Sequence, residues 1–381
     1  MLRRMPYRQR VLFINEGSQG SGVMGQEAIG GVLRALTAGA SIEARHISLP
    51  TMGRVARLAT RGVPSLARLD LDAHPVRWQL VQALRTRRVL RDELARSAAD
   101  LVHLNGHTLG LLSAGQMGRV PTLLSVDSTI EDWHAMGIWR APRPWSRASL
   151  LPSLLLERRA FAAAARVLAW TEWARRGVVR ACPSALVAVH HPGLDLERFS
   201  PAPRRERERP RLLFVGGRFR EKGGEELIAA LGGLLGTELE LGVVTPEPVP
   251  HVDGVRVHRH SSGAPALVDL YQQADLLCLP TRGDAAPFAV LEAMACATPV
   301  VAYDVGAVGE MLGEPACGAV VPRGDMHRFV AEIRTLLADP QARERAGAQA
   351  RSRCEAKYDA RNSTRALLAL MEEVSAGAER G

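Results

Sequence analysis

Short apolar runs alternate along the chain with longer segments of helical spacing. Residues 11–14 (Val-Leu-Phe-Ile) run into Asn15-Glu16-Gly17 and predict a buried parallel strand. Over 26–37 the period changes, and Ala28, Ile29, Val32, Leu33 and Leu36 share one helical face. A strand at 41–48, a helix at about 78–97, strands at 101–104 and 121–126, a helix at 150–165 and a strand at 166–170 follow. This alternation predicts an α/β fold with a doubly wound sheet.

The pattern then restarts. His191-Pro192-Gly193 is turn chemistry, and 200–210 is rich in proline and charge, as linkers are. Strands follow near 211–215, 238–244, 254–259, 276–280 and 299–303, with helices near 225–235, 265–273, 288–295 and 325–337. A last helix near 361–376 carries Leu367, Leu368, Leu370 and Met371 and needs an apolar partner. The expected organisation is two Rossmann-like domains, 1–195 and 196–360, with 361–381 packing back on the first. A cleft between two such domains, at the carboxyl ends of their strands, is the default active site.

The length of 381 residues fits two domains, and 46% hydrophobic with 23% charged residues fits neither disorder nor a fibre. With 4% aromatics the cores must be aliphatic. Five cysteines without a CxxC pair support neither a zinc site nor a disulfide framework, so a reducing cytoplasm is expected. The basic N-terminus precedes an apolar run too short for a signal peptide, and no long apolar window predicts a membrane span. Residues 1–200 hold 27 of the 49 Lys and Arg and 15 of the 40 Asp and Glu, so they carry +12 and the remainder −3. A basic half attracts nucleic acid, anionic lipid or an anionic substrate. So few aromatics offer few stacking platforms, so nucleic acid is not expected. Peripheral contact with the inner face of a membrane is.

Three constellations can carry chemistry. Gly20-Ser21-Gly22-Val23-Met24-Gly25 is a literal GxGxxG, with Glu43 near the position of a ribose-binding acid. Gly20 lies six positions after Ile14, however, which is too long for the tight dinucleotide turn. A flexible loop approaching a ligand is the better reading. Next, Phe214-Val-Gly-Gly217-Arg218-Phe-Arg220-Glu-Lys222-Gly-Gly224 puts three cations and two glycine pairs at a strand's carboxyl end, which suits a diphosphate or, equally, a solvated basic loop. The third runs from a strand ending at Pro280 through Asp284 and Pro287 to a helix opening at Phe288-Ala289-Val290 and carrying Glu292. Helix amides between two carboxylates suit a phosphate flanked by sugar hydroxyls. Taken singly, Asp284 also reads as a turn or cap residue and Glu292 as a solvated first-turn glutamate.

The string ADLLCLPTRGDAAPFAVLEAMACATPVVAYD at 274–304 resembles the donor-binding signature of glycosyltransferase family 4, which has the GT-B fold. Asp284 stands where that signature more often has Glu, with seven residues between it and Glu292. FVGGRFREKGG resembles the family's phosphate loop, HPGLDLERFSP at 191–201 its inter-domain turn, and 304–325 the segment closing the donor site. The resemblance is specific over about 165–340 and weaker before that. It implies a retaining transferase using a nucleotide-diphosphate sugar, with no metal and no other cofactor. Arg218 and Lys222 would stabilise the leaving diphosphate, Gly217, Pro287 and the amides of Phe288, Ala289 and Val290 would approach it, and Glu292 would bond the ribose. Asp284 would contact the sugar, Arg259 would flank the base, and Gly20 and Gly22 would face donor and acceptor. The acceptor is left open between glycan, lipid-linked and small-molecule hydroxyls.

The first half departs from the general pattern. Where many members carry His, this chain has Asp127, within Ser125-Val-Asp127-Ser-Thr129. Asp127 reads as an acceptor-orienting or basic group, or as a helix cap. His103 and His107 are further candidates, and Thr171-Glu172-Trp173 matches the family's Ser-Glu-Trp segment. The rival readings are a nucleotide-sugar epimerase on the same fold and an NAD-dependent oxidoreductase.

Overall fold

The structure is a computed structural model that describes residues 8–15, 24–38, 42–50, 52–63, 65–66, 72–137, 142–260, 264–314 and 316–378. The chain divides into two compact units, Met1–Pro192 with Arg361–Gly381, and Gly193–Ala360.

In the first unit β1 (Arg10–Asn15), β2 (Glu43–Ser48), β3 (Leu101–Asn105), β4 (Thr122–Val126), β5 (Arg166–Ala169) and β6 (Val187–Val189) form one parallel sheet in the order β2-β1-β3-β4-β5-β6. β3 and β4 are buried throughout, which is why they read as unbroken apolar runs rather than alternating ones. The edge strand β2 is partly exposed along its length. Leu12, Ile14, Leu104, Leu124, Val126, Phe161 and Val167 lie in the core. The order reverses between β1 and β3, whose carboxyl ends therefore flank a switch point.

Several elements exceed the expectations. The helix expected at 78–97 is His74–Arg96, because Pro75 is accommodated in its first turn. The helix Glu172–Ala181 starts where Thr171 accepts a hydrogen bond from the Ala174 amide at 3.1 Å. β6, three half-buried residues within the apolar run 185–189, adds a strand that was not expected. The helix Ala360–Ala378 buries Thr364, Leu367 and Met371. Ser363 Oγ donates to the His191 carbonyl at 2.8 Å, and Arg166 pairs with Glu373 at 2.9 Å. Among the described residues no helix is long and apolar enough to cross a membrane.

Glu157, on the helix Leu151–Ala163, is fully enclosed and accepts the Ile130 amide at 2.9 Å. Burial, then the nearby Asp132 and Glu131 charges, push its carboxyl up to about 8 against the pull of that amide. Between the ordinary carboxylate pKa of 4.5 and about 8, the unfolded chain has released a proton that the folded one retains. Stability therefore falls as pH rises across that window. Glu157→Gln keeps an acceptor for Ile130 and removes the loss, giving a gain of up to about 5 kcal/mol at pH 8. Urea denaturation at pH 5 and pH 8 checks this; equal pH slopes for variant and wild type refute it.

In the second unit β7 (Arg211–Val215), β8 (Glu240–Val244), β9 (Val255–His258), β10 (Leu276–Leu279), β11 (Val300–Tyr303) and β12 (Gly318–Val321) form a second parallel sheet, ordered β12-β11-β10-β7-β8-β9. Its switch point falls between β7 and β10. β12 opens on Gly318 (φ +151°), where a Cβ would sit 1.9 Å from the Val300 carbonyl oxygen. The helix Pro340–Lys357 escaped notice because its buried face is small: Ala346, Gly347, Ala350 and Cys354. All five cysteines are buried and free.

Candidate active site

At the end of β7 the chain turns through Gly216 and Gly217 into a basic loop. Phe219 anchors it, edge-on to Phe214 with ring centroids 5.5 Å apart. The second glycine pair is sterically required. At Gly224 a Cβ would lie 2.1 Å from the Phe219 ring. At Gly223 (φ +82°) it would lie 2.4 Å from the Pro280 carbonyl oxygen. These contacts lay the β7 loop against the end of β10. Lys222 thereby reaches Asp284, and its Nζ donates to Asp284 Oδ2 across the switch point. Both side chains are less than one fifth exposed, at 16% and 19%. Arg218 is half exposed and pairs with Glu221 at 2.7 Å, and Arg220 pairs with Glu225 at 2.9 Å.

The loop after β10 is held from both sides. Thr281, fully buried, donates to the Gly283 carbonyl at 3.0 Å. The Ala307 amide donates to the Ala285 carbonyl at 2.8 Å. Gly306 (φ +55°) lets the 304–307 segment approach so closely that a Cβ there would be 2.1 Å from the Asp284 carbonyl oxygen. The helix Phe288–Ala295 begins at this edge. Its N-cap is Pro287, which offers no capping side chain; Pro287 and Val290 are buried, and Phe288 and Ala289 half-buried. Its aligned amides bring partial positive charge to the strand ends that hold Lys222.

Glu292 differs from its simple alternative. It lies in the helix's second turn and is 5% exposed, not a solvated first-turn glutamate. Tyr271, on the helix Pro265–Gln273, donates to Glu292 Oε2 at 2.7 Å. Burial and this carboxylate hold the phenol well above its ordinary pKa, so it stays a donor. Tyr271 and Gly306 support the site. The tyrosine lies inside an amphipathic helix and does not stand out in the sequence; Gly306 falls within the 304–325 segment, but its close approach to Asp284 shows only in the structure. Arg259 is exposed and donates to the Thr245 carbonyl, 3.3 Å away, at the end of β8.

In the first unit Asp127 follows β4, is half-buried, and accepts from Ser128 Oγ at 2.8 Å. It does not cap the next helix. Thr129 does, through a reciprocal box with Asp132. At the switch point Asn105 Nδ2 lies 3.4 Å from Asn15 Oδ1, both residues buried. This pair was unmarked in the sequence because asparagine at a strand end reads as ordinary turn chemistry. His103 is buried on Ser125 at 2.7 Å and pushed down to about 3, first by burial and then by His190 and His46. His107 is pushed down to about 4 by burial. Both are neutral near pH 7, so neither adds positive charge there. Gly20 and Gly22 lie outside the described residues. Glu43 opens β2 at its amino end and is exposed, whereas a ribose-binding acid belongs near a strand's carboxyl end. That placement removes the dinucleotide reading. Among the described residues no group of three or more His, Cys, Asp or Glu is placed to hold a metal ion.

Two doubly wound parallel sheets, one carrying this cation–carboxylate pair at its switch point, place the chain in the GT-B class of glycosyltransferase folds. Its sequence matches the family pattern described as Glycosyltransferase Family 4 over residues 46–198 and that described as Glycosyl transferases group 1 over residues 252–353. The D-inositol 3-phosphate glycosyltransferase of Kineococcus radiotolerans is 30% identical over 302 residues, covering 67% of each chain. The chain belongs to this glycosyltransferase family. An enzyme of the same name from Streptomyces bingchenggensis is 29% identical over 67% of this chain and 63% of its own length, so the chain spans less than two thirds of that relative. Among solved structures, sucrose-phosphate synthase from Thermosynechococcus elongatus superposes with a TM-score of 0.73 at 18% identity, covering 97% of this chain and 100% of that one. HepE of Anabaena in complex with UDP-glucose does so at 0.65 and 15%, covering 96% and 100%. These matches lend no support to the epimerase or oxidoreductase readings.

Proposed function

We propose that the chain transfers a glycosyl group, with retention, from a nucleoside-diphosphate sugar to a hydroxyl of a phosphate-bearing acceptor. The observation that carries this is the Lys222–Asp284 pair across the second unit's switch point, beside the start of the helix Phe288–Ala295. The donor diphosphate takes over Lys222 from Asp284 and Arg218 from Glu221. These side chains then stabilise the charge that grows on the leaving phosphate as the glycosidic bond breaks. Glu292, oriented by Tyr271, accepts from the ribose hydroxyls, and Asp284 turns to the sugar. The leaving phosphate oxygen takes the acceptor's proton on the face from which it departs, so no protein nucleophile is required. The charge on the diphosphate is met by side chains and helix amides rather than by a bound cation.

A phosphate-bearing acceptor fits the basic first half and the name of the relatives, D-inositol 3-phosphate glycosyltransferase. A UDP-glucose complex in a protein of the same fold supports a nucleotide-sugar donor. A thermal-shift panel of nucleoside diphosphates tests the donor half. One diphosphate at about 100 times its dissociation constant should add about 2.7 kcal/mol of stability. A flat response to every diphosphate overturns the reading. Sugar interconversion without an acceptor would instead establish an epimerase.

A further inference from the structure

We infer that the segment 52–66 of the first unit is a docking surface for an anionic lipid bilayer. The short helix Arg54–Ala59 buries none of its residues. Val55 is 82% exposed and Leu58 69%, and they stand one helical turn apart. Arg54 and Arg57, also one turn apart, flank them, and neither forms an ion pair with a described residue. Beyond the helix, Arg61 is exposed, and Val63 and Leu66 are 36% and 39% exposed. The segment contains no acidic residue. An apolar stripe beside cations that make no ion pair among the described residues fits the interface between headgroups and acyl chains.

The segment is held out rather than left to collapse. Asp72, 4% exposed, accepts the Val63 amide at 2.7 Å and the His74 amide at 3.0 Å, and pairs with Arg77 at 3.0 Å. Arg77 also donates to the Arg61 carbonyl at 2.8 Å. One buried carboxylate thus ties the far end of the segment to the helix His74–Arg96 and leaves its apolar side chains in water. Charge selects among occupants. A second copy of the chain would oppose the same arginines to one another, whereas an anionic bilayer complements them. The inference does not depend on the transferase reading, because its readout is partition and not turnover.

Cosedimentation with phosphatidylglycerol and phosphatidylcholine vesicles tests it. The full chain should bind the first at low salt, lose that binding as salt rises, and ignore the second. Arg54→Ala with Arg57→Ala should lower partition at least tenfold, about 1 kcal/mol being expected per cation near an anionic surface. Val55→Glu with Leu58→Glu should do the same, and such exposed positions leave the melting temperature unchanged. Absence of binding to anionic vesicles overturns the inference, as does wild-type partition in both double variants. A concentration-dependent dimer abolished by Val55→Glu with Leu58→Glu would overturn it in favour of a second copy.

Discussion

Lys222→Ala lowers kcat by about a hundredfold or more, measured as acceptor-dependent release of the nucleoside diphosphate. Two unit charges in a partly dried site interact far more strongly than in water, and the leaving diphosphate gains charge only as its bond breaks. A lost donor at such a position typically costs about 10²–10³ in rate. The variant folds. The Lys222–Asp284 pair is partly solvated, at 16% and 19% exposure, so losing it costs no more than about 3 kcal/mol. Near-normal turnover in Lys222→Ala would remove the diphosphate from this site and the proposed mechanism with it.

The second large effect comes from Gly306, which the proposed chemistry never touches. Alanine there meets the Asp284 carbonyl oxygen at 2.1 Å and the Ala285 carbonyl oxygen at 2.5 Å, in a backbone conformation that L-residues rarely adopt. The left-handed conformation alone costs about 1–2 kcal/mol. Relief of the clash must also displace the backbone that carries Asp284. A shift of about 1 Å in a positioning group costs about a hundredfold in rate. Gly306→Ala should therefore lose both stability and turnover. Gly217→Ala is the contrast. A Cβ at Gly217 meets no atom within 4 Å, so its stability stays within about 0.5 kcal/mol of wild type. A fall in kcat there reports the approach of a ligand to the backbone. Wild-type turnover in Gly306→Ala would show that Asp284 need not be held where it is.

Both sheets were legible because their central strands are buried on two faces and so read as unbroken apolar runs; β3 and β10 are the clearest cases. Elements that pack through small side chains were not. The helix Pro340–Lys357 buries alanine, glycine and cysteine, and β12 is Gly-Ala-Val-Val, so neither shows a strong apolar period. In the candidate site, Arg218, Lys222, Asp284 and Glu292 stand beside glycines and a helix start, a local pattern that a sequence displays. The structure adds the Lys222–Asp284 contact, joined across 62 residues, and the burial of Glu292 under Tyr271. Contacts of that kind follow from strand order, and strand order is not written in any one segment. The Asn15–Asn105 pair, 90 residues apart, shows the same limit.

The first unit is discontinuous, and this sets the order of events during synthesis. Its sheet is complete by Val189, but the helix that buries Leu367 and Met371 and bonds Ser363 to the His191 carbonyl lies beyond the whole second unit. At about 5–20 residues per second, a ribosome takes on the order of ten to thirty seconds to translate residues 193–360. Through that interval the nascent first unit has its strands but not its closing helix, and it presents the apolar seat of Leu367 and Met371 to solvent and to chaperones. The second unit, whose residues are contiguous, folds before the first is finished.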